Sequence, residues 1–164
     1  MNVHSTISSG EEHRFVVEQI KRRLQTIVSD IDISIKPEIF KLKNVQHLKT
    51  SISIQLENGK NILDLVNLLH PTPAVAGTPM EKAKNVIREF ELHDRGWYSG
   101  PVGWINPAGD GDFFVALRSA FVKNEEAHIF VGSGIVSESL PDQEWIETEL
   151  KLQPIISALS GGQM

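Results

Sequence analysis

From Glu11 onward apolar residues recur at helical spacing: Phe15, Val16, Ile20, Leu24 and Ile27 share one side, with Lys21, Arg22 and Arg23 on the remaining face. Glu11 and Glu12 stand in the first turn, where the helix dipole favours carboxylates, and Ser29-Asp30 marks the end. Residues 1–10, polar and short-sided, are expected to form a flexible N-terminus. An irregular stretch follows until His47 to Leu56, where Leu48, Ile52, Ile54 and Leu56 mostly alternate with polar residues. That pattern predicts a half-buried strand ending at an Asn58-Gly59 turn. Ile62, Leu65, Val66 and Leu69 then mark a short helix over Asn61 to Leu69, stopped at His70 because Pro71 and Pro73 cannot continue it. His70 to Gly77 is expected to be an extended, stiff loop. Pro79 opens another helix to about Glu91, with Ala83, Val86, Ile87 and Phe90 inward.

After Gly96 the pattern becomes strand-like over Gly100 to Ile105, Asp112 to Lys123 and Ala127 to Val131. The breaks at Asn106 to Gly111 and Lys123 to Glu126 predict hairpin connections. A last helix runs from about Pro141 to Leu159, and residues 160–164 form a polar tail. The class predicted is α+β, an antiparallel sheet flanked by helices, with 11–159 as one domain. Three or four strands are few for so many apolar helix faces, so a larger sheet is expected than this chain supplies.

Composition narrows the function. The 164 residues are 23% charged and 40% hydrophobic, as in an ordinary soluble globular protein. A net charge of −5 and the lack of a basic stripe argue against a nucleic-acid partner. There is no cysteine, which removes disulfides, thiolate catalysis and Cys-based zinc sites. No secretory signal pattern and no apolar run of membrane-spanning length is present, so the expected location is the cytoplasm.

The last helix carries the most chemistry. Glu144, Glu147 and Lys151 stand at i, i+3 and i+7 and share one face. Two carboxylates a turn apart suit a hard cation such as Mg²⁺, and the lysine an anion beside it; a solvated Glu-Lys face has the same spacing. Gly132-Ser133-Gly134 follows a strand and is either a tight turn or a cradle whose amides face a carboxylate. Arg118, placed within the predicted strand from Asp112, is either edge-exposed or a bidentate carboxylate clamp. His70 either caps helix carbonyls or meets a substrate. Glu12 and His13 are either metal ligands or N-terminal helix charges. Phosphate-loop, nucleophile-elbow and zinc-protease motifs are all missing.

Several segments in order resemble the C-terminal part of the chorismate-utilising enzymes, and the isochorismate synthases of menaquinone or siderophore pathways most. They are His70 to Gly77 (HPTPAVAG), Asp94 to Trp104 (DRGWYSGPVGW), Val115 to Ala120 (VALRSA), Gly132 to Val136 (GSGIV) and Glu144 to Lys151 (EWIETELK). Glu11-Glu12-His13-Arg14 resembles the segment in which a glutamate beside a histidine binds Mg²⁺. The similarity runs from about Glu11 to Leu159.

The resemblance implies Mg²⁺ as cofactor, held by Glu12 and Glu147 with Glu144 nearby, and chorismate as substrate. Arg118, Lys151 and the Gly132 to Gly134 backbone would bind its anionic groups, and His70 and Thr72 would line the ring pocket. The reaction implied adds water at ring C2 as the C4 hydroxyl leaves. Salicylate or anthranilate synthase is the alternative enzyme, and a stand-alone or degenerate binding module the alternative without chemistry. The family's water-activating lysine and acid glutamate lie in a portion this chain lacks, so inactivity alone is expected, with catalytic residues upstream. Ser133 also departs from the alanine usual between those glycines. An apolar sheet edge left uncovered predicts a homo-oligomer.

Overall fold

The computed structural model describes residues 7–41, 46–57 and 59–161. They fall into two compact units: residues 1–80 with Ile105–Asp112, and Glu81–Trp104 with Phe113–Met164. Residues 1–6, Asn58 and 162–164 of the expected N-terminus, turn and tail lie outside the described residues.

The first unit is organised by α1 (Ile7–Leu24). The helix begins four residues before the expected Glu11, and a hydrogen-bonded turn at residues 25–28 continues its apolar stripe. Leu24 and Val28 are buried there, and α1 packs against α2 (Ile62–Leu69) and α3 (Pro73–Ala76), whose Ala76 is also buried. A reciprocal capping box starts α2: the Leu63 N–H donates to Asn61 Oδ1 at 2.8 Å, and the Asn61 N–H to Asp64 Oδ2 at 2.8 Å. The short helix α3 corrects the expectation of a wholly extended loop. His70-Pro71 ends α2, and Pro73 begins the next helix, because at the first helical position a proline lacks only a donor that would have no partner anyway. Thr72 O accepts the Val75 and Ala76 N–H groups at 3.1 and 3.0 Å.

The rest of this unit is an antiparallel ribbon. β1 (Ile31–Ile33) pairs with β4 (Ile52–Ile54), and β2 (Glu38–Lys41) with β3 (Gln46–Lys49). The strand expected over His47 to Leu56 is therefore two strands with different partners, broken at Thr50-Ser51. Thr50 Oγ1 lies 2.8 Å from His13 Nε2, a tie between the break and α1.

The second unit contains α4 (Met80–Phe90) from Glu81 on, most of the hairpin β5 (Pro101–Ile105) and β6 (Gly111–Val115), the hairpin β7 (Ser119–Lys123) and β8 (Glu126–Phe130), and α5 (Pro141–Leu159). Asn106 N–H closes the first hairpin on Asp110 O at 2.8 Å, with Gly109 at φ +92°. In the second, Ser119↔Phe130 through Lys123↔Glu126 are paired antiparallel. The single strand expected over Asp112 to Lys123 is broken: Arg118 has φ +50°, and Ala116 exchanges hydrogen bonds with Ser99 and Gly100. Arg118 thus stands between two strands and not in one. Helix α5 matches its expected ends and carries Pro154 in its interior.

The class is α+β, with described strands arranged as two-stranded ribbons. Val86 and Phe90, expected inward, are 54% and 71% exposed. Ala83 and Ile87, also expected inward, are half-buried, so the apolar side of α4 is covered only in part.

Candidate functional site

In the second unit the residues leading out of β8 meet the face of α5. Lys151 donates to Gly132 O at 3.0 Å and pairs with Glu147 Oε1 at 2.6 Å. One turn earlier Ser133 Oγ donates to Glu144 Oε2. Glu144, Glu147 and Lys151 thus share one helix face, and two of them grip the glycine segment. The carboxyl of Glu144 is held below the usual carboxylate range, first by Ser133, then by Ser139, with the Lys151 ammonium adding to both and burial opposing. A cleft of about 520 Å³ runs between this segment and α5, lined by Val131, Ser133, Ile135, Glu144, Trp145 and Thr148 among others.

Gly132 is required for a different reason from the one its sequence suggests. It is not among the glycines at positive φ. A Cβ there would lie 3.0 Å from Tyr98 Oη, tighter than ordinary van der Waals contact. Tyr98 is held from two sides: its ring stacks on Phe130 with centroids 5.7 Å apart, and the Arg95 guanidinium lies 5.9 Å from its centroid. Arg95 forks onto Glu91, Nε to Oε2 at 2.8 Å and Nη2 to Oε1 at 2.5 Å, so its charge is fixed. Burial pushes the Tyr98 phenol above its ordinary pKa. Gly132 presents its carbonyl to Lys151.

The other expected site residues are distributed as follows. Glu12 is exposed on α1 of the first unit. His70 is the C-cap of α2, its N–H donating to Val66 O, and Thr72 is the N-cap of α3. Arg118 is half-buried at the break between β6 and β7, and Gly134 is exposed beyond Ser133. Glu144, Glu147, Lys151, Gly132 and Gly134 thus share the second unit with Arg118, whereas Glu12, His70 and Thr72 belong to the first. Among the described residues no three His, Asp or Glu side chains group closely enough to hold a metal. The two carboxylates on α5 do suit a hard cation that keeps several waters, since both offer oxygen donors one turn apart. Sequence reasoning missed Ser133 as a partner of Glu144 and Tyr98 as the reason for Gly132. The serine in that motif was the available signal for the first; nothing local announces the second.

Glu144, Glu147, Lys151 and the Gly132-Ser133 segment form one hydrogen-bonded cluster on the face of α5. The chain belongs to the chorismate binding enzyme family, which it matches over residues 8–160. It is 46% identical over 150 residues to isochorismate synthase MenF of Bacillus subtilis, covering 92% of this chain and 32% of that protein. A structure from Bacillus anthracis assigned as the 2,3-dihydroxybenzoate-specific isochorismate synthase DhbC is 36% identical, with a TM-score of 0.90 over 95% of this chain and 42% of that one. Anthranilate synthase component I from Streptococcus pneumoniae is 28% identical, with a TM-score of 0.82 over 91% and 35%. The chain spans about a third of the length of the curated relatives it matches.

Proposed function

We propose that this chain carries the α5 half of an isochorismate synthase site and binds chorismate with Mg²⁺. The observation that carries the reading is the α5 face of Glu144, Glu147 and Lys151 gripping Gly132-Ser133, in a chain more similar to isochorismate synthases than to anthranilate synthase. When bound, Mg²⁺ would neutralise the ring carboxylate of the substrate. Glu144 and Glu147 would hold it from α5, and Glu12 is assigned as a ligand by resemblance alone. An ammonium has three donors. Lys151 spends two on Glu147 and Gly132, and its third is assigned to a substrate carboxylate. Arg118 would take a second anionic group, and His70 and Thr72 would border the ring.

None of these groups is assigned the proton transfers needed to add water at C2 and expel the C4 hydroxyl. A missing general acid or base forfeits about 10²–10⁴-fold in rate. The chain alone is therefore inactive under this reading. Its open strand edges and exposed apolar faces further favour a homo-oligomer, and cytoplasmic residence fits a soluble metabolic enzyme. No helix among the described residues is long and apolar enough to cross a membrane.

Calorimetric titration of the 164-residue chain with chorismate, with and without Mg²⁺, tests the reading. Binding that needs Mg²⁺ and weakens in Glu147→Gln is expected, with no isochorismate formed. No heat at millimolar chorismate would leave a binding module without this ligand, and isochorismate above background would overturn the assigned inactivity.

A further inference from the structure

We propose that Arg23 is a positioning residue for the substrate loop, its guanidinium clamping the backbone on both sides of His70. The inference rests on the reading of His70 and Thr72 as ring-pocket residues. Arg23 lies in the last turn of α1, half-buried, and its Nη1 donates to Leu69 O at 2.8 Å, Pro71 O at 2.9 Å and Leu68 O at 3.4 Å.

The need for such a donor follows from the sequence. The last carbonyls of α2 have no helical N–H ahead of them, because the chain turns at His70 and continues through two prolines. Pro71 and Pro73 contribute no N–H, so the segment is rich in acceptors and poor in donors. The N–H groups that follow, of Val75, Ala76 and Gly77, are directed to Thr72 O and Pro73 O within α3. A cation from another element fills the gap. Ordinary helix capping explains the contacts with Leu68 and Leu69. It does not explain Pro71 O, which lies beyond the helix and on the far side of His70.

Downstream, the loop is anchored where α3 packs on α1 with Ala76 buried. Between these anchors, His70 and Thr72 are spaced by Pro71, whose carbonyl accepts from the same guanidinium that holds Leu69 O. Arg23 therefore acts through the loop, and its loss should release the loop without touching the α5 carboxylates.

The test uses the full chain with Arg23→Met and Arg23→Lys, and Arg22→Met as the exposed neighbour. NMR of the ligand-free proteins is expected to show amide shift changes concentrated at residues 68–77 in Arg23→Met, smaller ones in Arg23→Lys and none there in Arg22→Met. In the presence of Mg²⁺, Arg23→Met should weaken chorismate binding at least tenfold, with partial recovery in Arg23→Lys and Mg²⁺ affinity unchanged within twofold. Unshifted loop amides, or equal losses for chorismate and Mg²⁺, would overturn the inference. If the wild-type chain binds no chorismate, the proposed function fails, and the loop amides still decide the clamp. If Arg23→Met does not fold, the wild-type guanidinium decides: resolved, slowly rotating Nη protons support the clamp, and free rotation overturns it.

Discussion

Ser133 is the smallest change with a measurable electrical consequence. Its hydroxyl donates to Glu144 and is the first cause of that carboxyl's lowered pKa. A folded pKa below the unfolded one adds stability that is present above the unfolded value and fades as pH falls through the folded value. Ser133→Ala should therefore move the Glu144 midpoint up toward the ordinary carboxylate range in a carboxyl ¹³C titration. An unmoved midpoint would assign the shift elsewhere. Gly132 offers a steric counterpart. Gly132→Ala should cost about 1–3 kcal/mol by crowding Tyr98 Oη, and less in a Tyr98→Phe background, where the obstructing atom is gone. Equal costs in the two backgrounds, from denaturant melts, would mean the strain is relieved another way. Neither effect was legible beforehand. Hydrogen bonds between residues 11 apart, and contacts between residues 34 apart, leave no period in a sequence.

Elements with local punctuation were legible and those with distant partners were not. α2 was bounded correctly because Asn61 and Asp64 start it and His70-Pro71 stops it, all within one short span. Asn61→Ala removes one arm of that box and should lower stability by about 1 kcal/mol, read as a shift in the urea midpoint. An unchanged midpoint would show that the cap is not formed in solution. α5 was likewise bounded by Pro141 and by the small and glycine residues after Leu159. By contrast, β1 and β2 lay in a stretch that looked irregular. They span only three or four residues each, too few to show a period, and β1 pairs with residues 19 to 23 positions away and β2 with residues 5 to 11 away. The break at Arg118 also escaped notice, since arginine is not a residue that advertises a left-handed backbone.

At the scale of the molecule, the excess of apolar helix surface over sheet was visible in the sequence and stands in the structure. Trp145 and Phe90 are 69% and 71% exposed, and the described strands stop at pairs. Such surface should make the purified chain self-associate at micromolar concentration. Light scattering that gives the 18.3 kDa monomer would contradict this. The division between units was not legible, because Ile105–Asp112 groups with residues far earlier in the chain.

Two-stranded pairing leaves a time signature. In an antiparallel ribbon alternate amides point toward the neighbour and the rest point outward. Transferred into heavy water, β7 and β8 should take up deuterium in a period of two, inward amides slowly and outward ones at nearly the rate of an unfolded peptide. Any protein strand that later docks along that edge would erase the alternation, so the isotope pattern doubles as a detector of whatever completes the sheet.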